Sequence, residues 1–205
     1  MPRAGLTTGL VTEEAGRLAD EVGFENLTMS ALALRLGVRQ PTLYKHVSGT
    51  TGLHREMAVL AKTELADVLR RAAVGRARDE ALVAIADAYR AWATAHPGRY
   101  AATVPAAASG DSQDERAGLE AVQVVTDVLG GYGLSGEDAI DATRALRSTL
   151  HGFVTLQSSG GFGLPADVER SFRRTIEGLI GVIAHWNPAK QGDGKCSTPS
   201  APSHL

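Results

Sequence analysis

Between Asn26 and Arg55 the chain holds no aspartate or glutamate, yet it carries Arg35, Arg39, Lys45 and Arg55; acids return only at Glu25 and Glu56, on either side. An ordinary solvated face mixes both signs of charge. A face that must approach phosphates avoids acids and keeps cations. The same stretch contains Thr28, Gln40, Thr42, Tyr44 and His46. Their hydroxyl, amide and imidazole groups can donate to phosphate oxygens or read base edges in a groove. The chemistry this combination fits is contact with duplex DNA.

Two short helices around one sharp turn would position these groups. Thr28 is suited to cap the first, because its hydroxyl can accept from a free first-turn N–H. Position 31 is Ala, so the reciprocal half of a capping box is missing. Leu32 and Leu36 share a face, and the small Ala33 beside them allows another helix to cross closely. Gly37 ends the helix in a conformation cheap only for glycine. The second helix begins around Arg39 to Pro41, where proline is tolerated. Leu43 and Val47 point back at the first helix, which leaves Gln40, Thr42, Tyr44, Lys45 and His46 outward. The pattern is a helix-turn-helix with an exposed second helix. Two amphipathic helices around a glycine turn also occur in all-α proteins that never meet DNA, and the missing acids favour the DNA reading.

The segment resembles the DNA-binding domain of the tetracycline-repressor (TetR-like) family of bacterial regulators. The resemblance rests on Ala15, Leu18 and Gly23 of a first helix, on Leu27-Thr28, Leu32-Ala33 and Leu36-Gly37-Val38, and on the run Gln40-Pro41-Thr42-Leu43-Tyr44-Lys45-His46-Val47. It implies an all-α protein: a small N-terminal three-helix domain, residues 1–49, and a larger helical ligand-binding and dimerisation domain, residues 50–186. The expected base-reading residues are Gln40, Pro41 and Tyr44. Thr28, Thr42, Lys45 and His46 are expected on the backbone, with Arg39 beside them. The implied partners are a double-stranded, palindromic operator, a small-molecule effector and a second copy of the chain. Some positions depart from the family pattern. Arg39 replaces a capping residue, Ser30 and Ala31 stand where relatives often carry a cation, and Ser48-Gly49-Thr50-Thr51-Gly52 lacks the linking lysine. These departures keep open a second reading, a helical ligand-binding or scaffold dimer that has lost DNA binding.

Beyond this segment the chain reads as further helices. Apolar residues at helical spacing mark 10–22, 53–71, 79–96, 114–129, 135–158 and 168–186. Pro97-Gly98, Gly130-Gly131-Tyr132-Gly133 and the run 160–165 act as stops, 104–113 reads as a loop, and Ser135 is placed to cap its helix. Residues 187–205 are rich in Pro, Ser and Gly and are expected to be a disordered tail. With a formal net charge of −2 over 205 residues, the basic character is local rather than global. The single cysteine, Cys196, excludes a disulfide framework and a cysteine-rich metal site. No apolar run is long enough to span a membrane, and no signal core follows Arg3, so a cytoplasmic, membrane-free protein is expected. None of the six histidines has Glu three residues before it, and there is no His-Glu-x-x-His helix, Gly-x-Ser-x-Gly elbow or P-loop. An enzyme is therefore not expected, nor a cofactor or metal.

His151-Gly152-Phe153-Val154 and His96-Pro97-Gly98-Arg99-Tyr100 resemble a C-terminal subtype of the same family that carries a His-Gly motif. The resemblance implies a small-molecule pocket. The expected lining is Tyr89, Trp92, His96, Tyr100, Thr103, Thr149, Phe153 and Gln157, against the alternative that the aromatics are core. It also implies a dimer built from the last two long helices. Gly152, Gly178 and Gly181 would let backbones approach there, unless they only mark tight packing within one subunit.

Overall fold

A computed structural model of the protein describes residues 5–186. The expected tail 187–205, with Cys196, lies outside the described residues. The fold is all-helical, with α1 Thr8–Val22, α2 Met29–Leu36, α3 Gln40–Leu43, α4 Gly49–Ala73, α5 Arg78–Ala95, α6 Pro97–Thr103, α7 Ser112–Gly130, α8 Gly136–Ser158 and α9 Val168–Ala184.

α4 organises the molecule. It packs against α1, α5, α6 and α7, and its 25 residues extend for about 37 Å at the helical rise. The first three helices close on its start through Val11, Ala15, Leu32, Leu43 and Leu53, all fully buried. The remaining helices close on its later turns: α5 meets α7, α8 and α9, and α8 meets α7 and α9. In α9 the buried stripe is Phe172, Ile176, Ile180 and Ile183, the i, i+4 pattern of a helix with one apolar side.

Three boundaries differ from the sequence reading. Pro97-Gly98 does not end the helical path. Proline, having no N–H to lose, stops α5 and opens α6 as its first residue, and His96 turns the chain between them at φ −131° and ψ 59°. α4 starts four residues before Leu53, because Gly49 takes φ +70° and lets the chain turn directly into it. Ser135 is extended, but its hydroxyl caps nothing.

Candidate functional site

The α2–α3 unit is built as its residue types require. Thr28 Oγ1 accepts from Ala31 N–H at 3.1 Å. Gly37 is left-handed at φ +65°, and the Val38 N–H then donates to the Ala33 carbonyl at 3.0 Å. Leu43 and Val47 are buried against α1 and α2, and Thr8 Oγ1 donates to the His46 carbonyl at 3.2 Å, fixing the end of the unit to α1. The α-helical part of the second helix is shorter than its apolar spacing suggested. It covers Gln40–Leu43, and residues 44–46 continue as turns. Arg39 supplies no side-chain cap, and the Thr42 N–H donates to the Arg39 carbonyl at 2.9 Å instead.

Of the expected DNA-facing residues, Arg39, Pro41, Tyr44, Lys45 and Thr28 are exposed, while Gln40, Thr42 and His46 are half-buried. Gln40 is held from both sides. Its Oε1 accepts from Ser30 Oγ at 3.2 Å, and its Nε2 donates to Tyr44 Oη at 3.4 Å. Ser30, which stands where relatives often carry a cation, thus orients a polar side chain of the next helix.

The structure divides the four cations that drew attention to this segment. Arg35 donates to Glu14 at 3.0 Å and Glu21 at 2.7 Å, both on α1, and these bonds hold both glutamates below their usual carboxylate range. Arg55 is bidentate to Asp111 at 2.6 and 2.7 Å and also reaches Glu56. Both are structural. Among the described residues, Arg39 and Lys45 alone of the four have no carboxylate within 4 Å, so the charge available to phosphates is half of what composition suggested.

A second site lies in the helices beyond. A cavity of about 470 Å³ opens between α4, α5, α7 and α8, with Leu65, Ile85, Val125, Leu146 and Leu150 as apolar walls. Exposed Pro105, Ala106 and Leu119 also line it and mark its mouth. The structure separates the expected lining residues into distinct places. Tyr89 and Thr103 lie on the cavity. Tyr100 stands behind Tyr89, its hydroxyl 3.0 Å from the Tyr89 hydroxyl and 2.6 Å from His151 Nδ1. Burial raises both phenols above their ordinary range, so they remain neutral. Trp92 packs on His96, and His96 Nδ1 lies 3.3 Å from Asp20 of α1. Phe153 stacks on Phe162 and Phe172 beneath Arg90, which also donates to Gln157 at 2.9 Å. Thr149 is half-buried on α8 and does not line the cavity.

The charged groups of the cavity were missed by sequence reasoning. Lys62 Nζ donates to Asp114 Oδ1 at 2.7 Å, and both side chains are only 8% exposed. Arg147 stands nearby and reaches the Thr103 and Val104 carbonyls at 3.3 Å. Lys62 had a signal, since it falls three and seven residues before the buried Leu65 and Leu69. Asp114 had none, because an acid in a first turn is ordinary.

Comparison with known proteins gives the context. Residues 11–57 match "Bacterial regulatory proteins, tetR family", and residues 82–179 match "Tetracyclin repressor-like, C-terminal domain". The HTH-type transcriptional regulator YobS of Bacillus subtilis is 34% identical over 87% of this chain and 93% of its own. The HTH-type regulator Rv0681 of Mycobacterium tuberculosis is 39% identical over 77% of this chain and 72% of its own. Both are described as uncharacterized. The chain belongs to the tetR family of bacterial transcriptional regulators. Solved folds agree. Apo ActR of Streptomyces coelicolor superposes with a TM-score of 0.70 at 20% identity, covering 91% of this chain and 99% of that one. A TetR variant from Acinetobacter baumannii in complex with minocycline gives 0.67 at 23% identity, covering 87% and 96%. TetR-family regulators bind operator DNA and small-molecule effectors as dimers and are not enzymes. Among the described residues of this TetR-family chain, no helix is long and apolar enough to cross a membrane, and no group of three or more His, Cys, Asp or Glu is placed to hold a metal ion.

Proposed function

We propose that this regulator acts in the cytoplasm as a homodimeric, ligand-released repressor of a palindromic operator, working by binding and not by turnover. Residues 1–49 read the DNA and residues 50–186 bind the effector and the second copy. The observation that carries the reading is that one continuous helix serves both sites. α4 begins two residues after the buried Val47 and carries Lys62, Leu65 and Leu69 into the cavity wall. Two recognition segments must enter successive major grooves about 34 Å apart, so a tilt of α4 by a few Å abolishes simultaneous docking.

Gln40, Pro41 and Tyr44 face base edges in this reading. Thr28, Thr42, Lys45 and His46 hold the backbone, with Arg39 beside them. Gln40 comes pre-oriented by Ser30 and Tyr44, which lowers the ordering cost of a base contact. The dimer forms through α8 and α9. A Cβ built at Gly152, Gly178 or Gly181 meets nothing within 4 Å. These glycines therefore do not serve packing within the subunit, which favours their use between subunits. Tyr89 and Thr103 are the effector contacts carried forward from the expected set.

The test is to sequence the genomic DNA that the purified protein retains, then to measure a mobility shift on the recovered site. A recovered two-fold symmetric site, shifted by the wild type and released by a cavity ligand, is expected. Retention of no specific site would favour a helical scaffold that has lost DNA binding.

A further inference from the structure

The Lys62–Asp114 pair is the buried ion pair of a cavity whose lining also carries Arg147 and Glu115. Its charges balance, and neither partner is saturated. Lys62 Nζ can donate three hydrogen bonds and makes one, to Asp114 Oδ1. Among the described residues, none donates to Asp114 Oδ2. It is nonetheless absent from the fully enclosed unpartnered atoms, which among the described residues comprise His54 Nε2 alone. Both residues line the cavity, which puts the pair within reach of a molecule bound there.

We infer that this pair reads the uncharged, hydroxyl- or amide-bearing head of an otherwise apolar effector. This rests on the cavity being the effector site. A hydroxyl or primary amide can accept from Lys62 and donate to Asp114 at once, completing both groups without adding charge. A carboxylate or an ammonium adds a third, unbalanced charge beside a buried neutral pair, which is penalised by desolvation. The walls made by Leu65, Ile85, Val125 and Leu146 take the apolar body.

The same contact reaches the DNA-proximal part of α4. Asp114 lies in the first turn of α7, and its N–H donates to Asp111 Oδ1 at 3.2 Å. That oxygen also accepts from Arg55, seven residues before Lys62 on α4. A head group that shifts Asp114 therefore acts on both ties between the start of α7 and α4.

The experiment uses the full-length protein and four matched eight-carbon probes at pH 7: 1-octanol, octanamide, octanoate and octylammonium. Affinities are measured by calorimetry on the wild type, on the double variant Lys62→Met/Asp114→Leu, and on Leu146→Trp, which fills the cavity. Circular dichroism first verifies that each variant is folded, and Lys62→Leu/Asp114→Ala, which likewise removes both polar groups, replaces the double variant if that fails. In the wild type, octanol and octanamide are expected to bind at least tenfold tighter than either charged probe. In the double variant octanol and octanamide should each bind at least tenfold more weakly than in the wild type, because the hydrogen bonds to their heads are gone, and Leu146→Trp should weaken all binding. Tightest binding of octanoate or of octylammonium overturns the inference, as does octanol and octanamide affinity unchanged in the double variant or a wild type that takes none of the four. If the probes bind but Leu146→Trp changes nothing, the effector site itself lies elsewhere and the functional reading of the cavity fails with it.

Discussion

Lys45 and Gln40 are both polar and both on the outward side of the α3 segment, yet removing each should read differently. Lys45 is exposed and has no carboxylate partner among the described residues. Lys45→Ala should therefore weaken all DNA sequences alike and reduce the slope of log affinity against log salt by about one charge. Gln40 is oriented by Ser30 and Tyr44. Gln40→Ala should relax preference at one base pair, by roughly 1–3 kcal/mol, and leave the salt slope in place. Titrations on a panel of single-base operator variants at two salt concentrations separate the outcomes; unchanged base preference would remove Gln40 from the reading set. Gly98 shows the opposite kind of constraint. A Cβ there would lie 2.1 Å from the Ala19 carbonyl carbon and 2.5 Å from the Asp20 nitrogen, which are backbone atoms that cannot swing aside. In an open helix Gly→Ala gains about 1 kcal/mol. Here overpacking of roughly 1–3 kcal/mol or more should win, so Gly98→Ala should lower the thermal midpoint. An equal or higher midpoint would mean that α6 stands off α1. Sequence reasoning assigned Pro97-Gly98 to a helix stop because nothing local signals a contact made 79 residues away.

At the scale of elements, most of the fold was legible. Helices announce themselves through apolar spacing, and Thr28, Gly37 and Pro41 marked their own caps and turns. What was not legible depended on partners distant in sequence. α6 was missed because seven residues carry little periodicity, and its stability comes from docking. Arg99 donates to Asp20 through both backbone and side chain, at 2.9 and 2.8 Å, and reaches Glu64 of α4 at 3.0 Å. Arg35 and Arg55 read as DNA-facing charge because their acids lie outside the stretch from Asn26 to Arg55. The ion pair of the cavity was missed for the same reason: Lys62 and Asp114 are 52 residues apart. The tie between α4 and the start of α7 has a pH signature. Arg55, with backbone N–H groups, holds the Asp111 carboxyl below its ordinary value of 3.8. A carboxyl whose folded pKa lies below the unfolded one stabilises fully above the unfolded value, and this is lost as pH falls through the folded one. Asp111→Asn should thus melt below the wild type at pH 7, and the gap should narrow steadily as pH drops beneath 3.8. A gap that stays constant from pH 7 to pH 3 would show that the charge of Asp111 contributes nothing. Arg55 and Asp111 are half-buried at the surface, so the effect should be modest and weaker in high salt.

For the whole molecule, the question is what covers the outer side of α8 and α9. Ile140 and Leu156 on α8, Val182 on α9 and Leu164 between them are 46 to 83% exposed, and the three glycines lie open beside them. A two-fold partner would bury this side, and two-fold symmetry is what a palindromic site demands of its reader. The open glycines make the proposal testable without the usual ambiguity. Replacing a packed glycine by leucine would unfold the subunit, but a Cβ at 178 or 181 meets nothing within 4 Å outside its own turn of helix, and leucine is the better helix former. The double variant Gly178→Leu/Gly181→Leu should therefore keep its helical content and its cavity. If α8 and α9 pack against a second copy, it should sediment as a monomer at concentrations where the wild type is a dimer. Its affinity for a single half-site should survive while affinity for the full palindrome falls, because the two reading segments are no longer joined. A folded double variant that still sediments as a dimer would place the interface on another face of the molecule.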